Sequence, residues 1–458
     1  MKACPLIAGI SCFAFLLSCN VACRSTSSEE TRERLATRQF PPSVRIDPVK
    51  RTVTLTARAT AVDETDPIEF FLIPASSGKD YEALATIEAK PSDVHAALLA
   101  VGLVPGHPTR LTHRQLWPRG ERVTMTFTWE QSGQTLSASA GQLIIDTRTT
   151  KPPADDSLVF TGSYVLPAGS DRPHELFAAD VSDSQSIAST YNDPTTVLDV
   201  PRRAQQSDVY GMQIRNPAYK WSPGQSLTIT LSAADPTQVP VPLDCTMRIS
   251  KNADDGATFQ LIHSSGESIA GLHECLKTLR DLETSGREVF VHIQVDPEMQ
   301  LGDVRSACAA LLALEDSENL RLEPPPEGSL IYDAFFPEEA WRDRSRRLSP
   351  AREVFLQRVD SGIVLDPADQ HWMPDENGPA KIPASATPPT NRGFLSASDL
   401  KVELSRRDTD KPLPLLVYAP ADMRYQQLTD VLAGPIKSGR IIYIFLPARP
   451  ATLPARDR

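Results

Sequence analysis

Thr52-Val53-Thr54-Leu55-Thr56-Ala57-Arg58 (TVTLTAR) is the stretch whose reading decides how this chain folds. Polar and apolar side chains alternate strictly, so one face is wet and the other buried, which is the period of a strand and not of a helix. Val123-Thr124-Met125-Thr126-Phe127-Thr128-Trp129 has the same pattern. Burial on one face only belongs to antiparallel pairing, since parallel strands are covered on both sides. Between the two, Pro91-Ser92 opens a helix whose Val94, Ala97, Leu98 and Val101 fall on one face, and Gly102 suits its left-handed C-terminal cap. Further short strands are expected at 158–166, 174–180, 186–191 and 226–232. Residues 43–233 therefore read as a strand-rich α+β domain with one principal helix.

After a hinge carrying Pro236, Pro240 and Pro242 the pattern changes. Strand (Cys245 to Ser250), strand (Thr258 to His263), helix (Ile269 to Leu282), strand (Val289 to Val295), helix (Gly302 to Leu314) and strand (Leu320 to Leu322) follow in quick succession. Ser268 serves as the N-cap of the first helix, and Ile269, Leu272, Leu276 and Leu279 mark its apolar face. This ββαβαβ unit spans 243–322. At a fixed offset of 124 residues, Ile293, Val295, Met299, Val304, Leu312, Leu320 and Leu322 correspond to Val417, Ala419, Met423, Leu428, Ile436, Ile444 and Leu446, all apolar. We read a degenerate second half over 329–447, interrupted by a proline-rich insertion at 377–389. Residues 448–458 form a tail.

The N-terminus gives an address. A lysine precedes an apolar run that ends in Leu16-Leu17-Ser18-Cys19. The run is too short for a permanent transmembrane helix, which needs about 20 apolar residues. Residues 1–18 look like a bacterial lipoprotein signal peptide, with Cys19 as the lipid attachment point and 19–42 as a polar tether. A secretory signal cut without lipidation is the rival reading.

Net charge is −11, which argues against nucleic acid as a partner, because phosphate binding needs clustered Lys and Arg. The basic run Arg342 to Arg347 contains an aspartate and reads as a solvated helix face. Of seven cysteines, Cys4, Cys12 and Cys19 lie in the leading segment, leaving Cys23, Cys245, Cys275 and Cys308. None has CxxC spacing, so a zinc ribbon or redox pair is not supported. Cys275 and Cys308 fall on apolar helix faces and default to buried thiols, while a disulfide between them stays open.

Two resemblances follow from these segments. IEFFLI (68–73), GKDYEALATIEAKPSDVHAALLAVGLVPGHP (78–108), LVFTGSYV (158–165) and PGQSLTITL (223–231) resemble the YdjY domain, a module of bacterial secreted proteins and lipoproteins. The resemblance implies a fold and an envelope location, without an activity. VHIQVDPEMQLGDVRSACAAL within 243–322 resembles the periplasmic domain of ExbD and TolR proteins, where a strand ending in an acidic residue leads into a helix. Those proteins also use a transmembrane helix with an embedded aspartate, which this sequence lacks, so the likeness implies binding or assembly and not energy transduction.

Chemistry is sparse. No GxSxG, P-loop, HExxH or GxGxxG occurs, and Gly162-Ser163 after a strand reads as a turn. His174, Glu175, Asp180 and Asp183 could gather a metal, but His174 and Glu175 would point to opposite faces of a strand. His273 and Glu274 are expected to face solvent. The YdjY resemblance singles out Glu69, Lys79 and Glu82 as candidate binding residues, with Tyr81 where family members often carry a histidine; a Glu69–Lys79 ion pair at the sheet edge is the structural reading. The sequence thus points to a non-enzymatic, lipid-anchored envelope protein, on the periplasmic face of a membrane or secreted, without cofactor or metal. Its partner would be a protein or cell-wall polymer, and a homodimer through edge strands is compatible. The alternative is an enzyme or metal-dependent binder with its site in the YdjY-like domain.

Overall fold

Thr52–Ala59 (β1) folds as its alternation demands: Val53, Leu55, Ala57 and Ala59 are buried, and Thr56 and Arg58 are exposed. Phe70–Pro74 (β2) is buried at every position, as the continuous apolar run FFLIP requires, and it pairs in parallel with Ala83–Ile87 (β3). The helix Pro91–Ala100 (α1) has Pro91 at its first position, where a missing N–H costs nothing. It ends in a Schellman turn: Gly102 (φ +81°) donates its N–H to Leu99 O at 2.9 Å, and Leu103 N–H reaches Leu98 O at 3.0 Å. Arg122–Gln131 (β4), Leu158–Phe160 (β5), Ala188–Ser189 (β6), Leu198–Asp199 (β7) and Ser226–Ala233 (β8) complete the set.

The eight strands close on themselves. Their order is β1-β8-β4-β5-β7-β6-β2-β3, and β3 returns to β1 through Ala57↔Ile87 and Ala59↔Ala85. Only β2/β3 and β6/β7 are parallel, so the result is a mixed barrel. In register, Ile229 of β8 lies between Leu55 of β1 and Phe127 of β4, all fully buried. Each such side chain stabilises the fold by about 1.5–3 kcal/mol. Closure leaves no unpaired edge within the ring.

This is a computed structural model that describes residues 35, 37–109, 117–168, 173–239, 242–251, 257–284, 288–306, 320–323, 352–356, 361–365, 395–405, 415–437, 440 and 442–446. The chain divides into two units, Met1–Thr109 with Trp117–Val239, and Arg110–Leu116 with Pro240–Arg458. Cys19 and the signal, Cys23, Cys308, the basic run at 342–347, the insertion at 377–389 and the tail lie outside the described residues. Among the described residues no helix is long and apolar enough to cross a membrane.

The second unit contains two sheets of one design. Leu243–Lys251 (β9), Ala257–His263 (β10), Ser268–Ala270 (β11), helix Leu272–Thr284 (α2), Val289–Val295 (β12) and Leu320–Glu323 (β13) form a sheet of order β11-β10-β9-β12-β13. Arg352–Leu356 (β14), Ser361–Leu365 (β15), Leu395–Ser396 (β16), helix Ala397–Ser405 (α3), Leu415–Tyr418 (β17), helix Tyr425–Lys437 (α4) and Ile442–Phe445 (β18) form another of order β16-β15-β14-β17-β18. Strand senses match in both: the first three strands are antiparallel and the last two run parallel to the first. One apolar core, containing Met299, Leu301 and Val304 with Met423, Tyr425 and Leu428, serves both sheets.

Several expected elements are corrected. The ββαβαβ order gains a third strand ahead of the helix, at the sheet edge: Ser268–Ala270 pairs with β10, and Gly271 at φ +93° turns the chain before the helix starts at Leu272. Ser268 is therefore a strand residue and not an N-cap. The expected strand 174–180 is Leu176–Phe177 followed by a helical turn, Ala178–Val181. The strand 158–166 breaks into Leu158–Phe160 and Val165–Leu166, because Gly162 and Ser163 both take positive φ, +77° and +55°. Residues 301–306 are helical, and the remainder of the expected helix to 314 lies outside the described residues. Cys245 and Cys275 are buried, and the Cys275 thiol donates to Ile269 O at 3.4 Å.

Candidate functional site

Glu69 sits where β2, β3 and the segment after β6 meet. Its N–H donates to Glu82 O at 2.9 Å, and its carbonyl accepts the Thr190 N–H at 2.9 Å, so the backbone fixes it from both sides. The side chain is 1% exposed. Gln206 Nε2 donates to Glu69 Oε2 at 2.8 Å, while Oε1 accepts no hydrogen bond. Burial raises the Glu69 pKa, the Gln206 hydrogen bond opposes that rise, and neighbouring Glu82 adds to it.

Glu82 ends the short 3₁₀ turn Asp80–Glu82 that leads into β3. Lys79, just before that turn, places its ammonium 3.5 Å from Glu82 Oε1 and 3.2 Å from Asp183 Oδ2. Burial works against the Lys79 charge, and hydrogen bonding to Asp183 with the field of Glu82 outweighs it, so its pKa stands above the ordinary lysine value. Lys79 is thus an ammonium at neutral pH, a poor nucleophile or base. The expected Glu69–Lys79 ion pair is replaced: Lys79 binds Glu82 and Asp183, and Glu69 binds Gln206. Tyr81 is 62% exposed, outside this cluster.

Two more acids lie on the same part of the barrel. Asp193 accepts Thr195 N–H and Oγ1 and the Ser184 hydroxyl. Asp199 on β7 is fully buried; Asn192 Nδ2 and Val200 N–H donate to its Oδ1 at 3.2 and 2.7 Å, and Oδ2 accepts nothing. Burial pushes its pKa well above the carboxylate range. Neither was singled out in the sequence.

The histidine-centred alternative is not assembled. His174 and Glu175 are exposed, Asp183 belongs to Lys79, and Asp180 Oδ1 accepts the Ser92 N–H at 2.9 Å, capping α1. Among the described residues no group of three or more His, Cys, Asp or Glu is placed to hold a metal. His273 and Glu274 face solvent. A histidine the sequence reading passed over, His95 of α1, packs between Phe160 and Phe177 at ring-centroid distances of 5.6 and 5.0 Å. Burial lowers its pKa to about 4.

These features define a closed mixed barrel with a buried carboxylate cluster at one end. Residues 44–170 match the family model of the YdjY domain, so the N-terminal part of the chain carries that domain. The match stops before β6, β7 and β8. No curated protein matches the chain. Among solved structures, the chain is similar to YeaZ from Pseudomonas aeruginosa, at 9% identity over 45% of this chain and 100% of that one, with a TM-score of 0.14. It is also similar to an uncharacterized protein with similarity to peptidase YEAZ from Pseudomonas aeruginosa, at 10% identity over 46% and 86%, with a TM-score of 0.12. Neither score supports an argument about fold or activity.

Proposed function

We propose that the protein is a non-enzymatic binding or scaffold module of the bacterial cell envelope, anchored at the periplasmic face of a membrane by lipid on Cys19. The observation that carries this reading is the state of Lys79. Its ammonium is held between Glu82 and Asp183 and stays charged, so the most reactive side chain of the candidate site is committed to tying the barrel end together. Support for the address comes from MKACPLIAGISCFAFLLSC and from the YdjY match over residues 44–170, since the YdjY resemblance implies an envelope location. In the second unit, the run from β12 through Asp296 into helical residues 301–306 supports an ExbD- or TolR-like assembly role, and β11 departs from that pattern.

The partner is a protein or cell-wall polymer. Cross-linking in intact cells is expected to yield one reproducible adduct from the membrane fraction, and Cys19→Ser is expected to move the folded chain into the soluble fraction. Absence of any reproducible adduct overturns the binding role; a membrane-bound Cys19→Ser chain overturns the anchor.

A second reading, a metal-dependent binder, is favoured by one atom: Glu69 Oε1, buried without a hydrogen bond. Elemental analysis of the purified protein, with thermal shift of wild type and Glu69→Gln, separates the two. A stoichiometric ion lost in Glu69→Gln reverses the order.

A further inference from the structure

A concavity in the barrel unit has the build of a ligand site, and its lining residue Gln213 accepts the Ile68 N–H next to Glu69 at 2.9 Å. One wall is the strand pair Ile144–Asp146 and Gln213–Arg215, joined in the register Gln213↔Asp146. The rim is the turn from Asp146 to Lys151: Thr150 N–H donates to Asp146 O at 2.7 Å, Asp146 N–H donates to Lys151 O at 3.0 Å, and Thr150 is held at φ +56°. The opposite wall is the segment Arg202–Ala204, which Asn192 fixes. Its Nδ2 donates to Arg202 O at 3.0 Å and its Oδ1 accepts the Ala204 N–H at 2.7 Å. The walls are thus set by hydrogen bonds to their backbone, from strand pairing on one side and from the Asn192 amide on the other, the condition for a site that need not be ordered when a ligand arrives.

The cavity volume is about 300 Å³, at the small end of ligand pockets. Four cations line it, Arg148, Lys151, Arg202 and Arg203, against two carboxylates, Asp146 and Asp208. On a chain of net charge −11 this is a local excess of positive charge. Asp146 is bound by Arg148 through two guanidinium nitrogens, at 3.1 and 2.6 Å, which orients the rim. Arg203 lies over the Trp117 ring at 6.0 Å.

Gln213 supplies the second, independent observation. It lines the cavity, is 5% exposed, and its Oε1 accepts no hydrogen bond. A buried amide carbonyl without a donor is destabilising, and an O–H from a bound molecule would satisfy it. Positive charge on the rim and an acceptor at the wall call for a ligand that is both anionic and a hydroxyl donor.

We propose that this cavity binds a hexose-sized anionic polyol, its charge carried by a carboxylate, as in a sugar acid, or by a phosphate, as in a sugar phosphate. The anion is held by the Lys151 and Arg202–Arg203 side, and a ring hydroxyl donates to Gln213 Oε1. The assignment stands independently of the role proposed for Lys79.

Isothermal titration of the full chain with glucuronate, glucose 6-phosphate, glucose and inorganic phosphate tests it. One of the two anionic sugars is expected to saturate, identifying the charged group, with glucose and phosphate alone each about tenfold weaker or more. Lys151→Gln and Arg202→Gln should each weaken that binding about fivefold and reduce its salt dependence. Gln213→Leu should weaken it similarly while leaving the thermal midpoint unchanged or raised, because an unpaired acceptor is removed. The proposal is overturned if neither anionic sugar saturates below about 10 mM, a range weaker than ordinary ligand sites. Binding of glucose as tight as glucuronate, or of phosphate as tight as glucose 6-phosphate, also overturns it. So does a Lys151→Gln chain that binds like wild type. Lys151 is exposed, so that variant remains folded even where Gln213→Leu does not.

Discussion

Gln300 and Arg424 form an antiparallel bridge, and they stand at the same position of the two halves of the second unit, 124 residues apart. The hydrogen bonds around them are reciprocal. Leu301 N–H donates to Met423 O at 3.0 Å, and its counterpart Tyr425 N–H donates to Met299 O at 2.8 Å. Gly302 N–H donates to Ala421 O at 2.9 Å, and Gln426 N–H donates to Pro297 O at 3.0 Å. A contact in which i meets j and the equivalent of j meets the equivalent of i is isologous, the arrangement of a twofold dimer written into one chain.

Met299 and Met423, 1% and 5% exposed, lie on either side of this pseudo-axis in one core. Met299→Ala and Met423→Ala should each cost about 2–5 kcal/mol of stability. Their neighbourhood predicts coupling, so the double variant should differ from the sum of the singles by about 0.5–3 kcal/mol in urea unfolding. Strict additivity would mean that the two halves fold against each other without sharing this core.

Lys79 and Glu82 give a second expectation. Glu82 is 5% exposed, so Lys79→Met strands a buried carboxylate and should cost about 3 kcal/mol or more. Pairing it with Glu82→Gln removes the stranded charge and should recover much of that loss. Thermal unfolding of the two singles and the double measures it; a double variant as unstable as the sum would show that the pair does not act as a unit.

His95 predicts acid sensitivity. Its folded pKa of about 4 lies below the ordinary 6.5, because burial against Phe160 and Phe177 disfavours the charged ring. A depressed base contributes its stability in full above pH 6.5 and loses it as pH falls toward 4. The loss attributable to this residue is about 3 kcal/mol across that window. His95→Phe, which keeps a ring between the two phenylalanines, should flatten the corresponding part of the thermal midpoint against pH, and an unchanged slope would place the acid sensitivity elsewhere.

The long strands were legible because burial on one face writes itself into TVTLTAR and VTMTFTW. Closure of the barrel was not. It depends on Ala57↔Ile87 pairing and on two strands of two residues each, Ala188–Ser189 and Leu198–Asp199, too short to hold a period. Ser268 misled for a physical reason, since a serine before an apolar face is a good N-cap, yet pairing with β10 and the positive φ of Gly271 take it into the sheet. Glu69, Lys79 and Glu82 were visible as a motif, whereas Gln206, which holds Glu69 from 137 residues away, could be found only in three dimensions. The same holds for the cavity beside Gln213, whose lining comes from separate segments with no shared motif.

Asp199 carries the opposite pH sign to His95. Burial raises its folded pKa well above 3.8, so the folded protein keeps this proton where the unfolded chain gives it up. Between those two values the folded state binds more protons than the unfolded one, and stability falls as pH rises, by up to about 1.36 kcal/mol per pH unit from this group. The contribution is complete below the unfolded pKa and lost on the alkaline side. Asp199→Asn keeps an acceptor for Asn192 and Val200 and removes the titration, at the cost of an amide N–H₂ facing the position where Oδ2 accepts nothing. Urea midpoints taken from acid to neutral pH should therefore converge or cross: the variant is no more stable than wild type at the acid end and gains on it as pH rises. A difference between the two chains that stays flat with pH would mean that Asp199 is ionised in the folded barrel, and that its charge is compensated by a partner other than Asn192 and Val200.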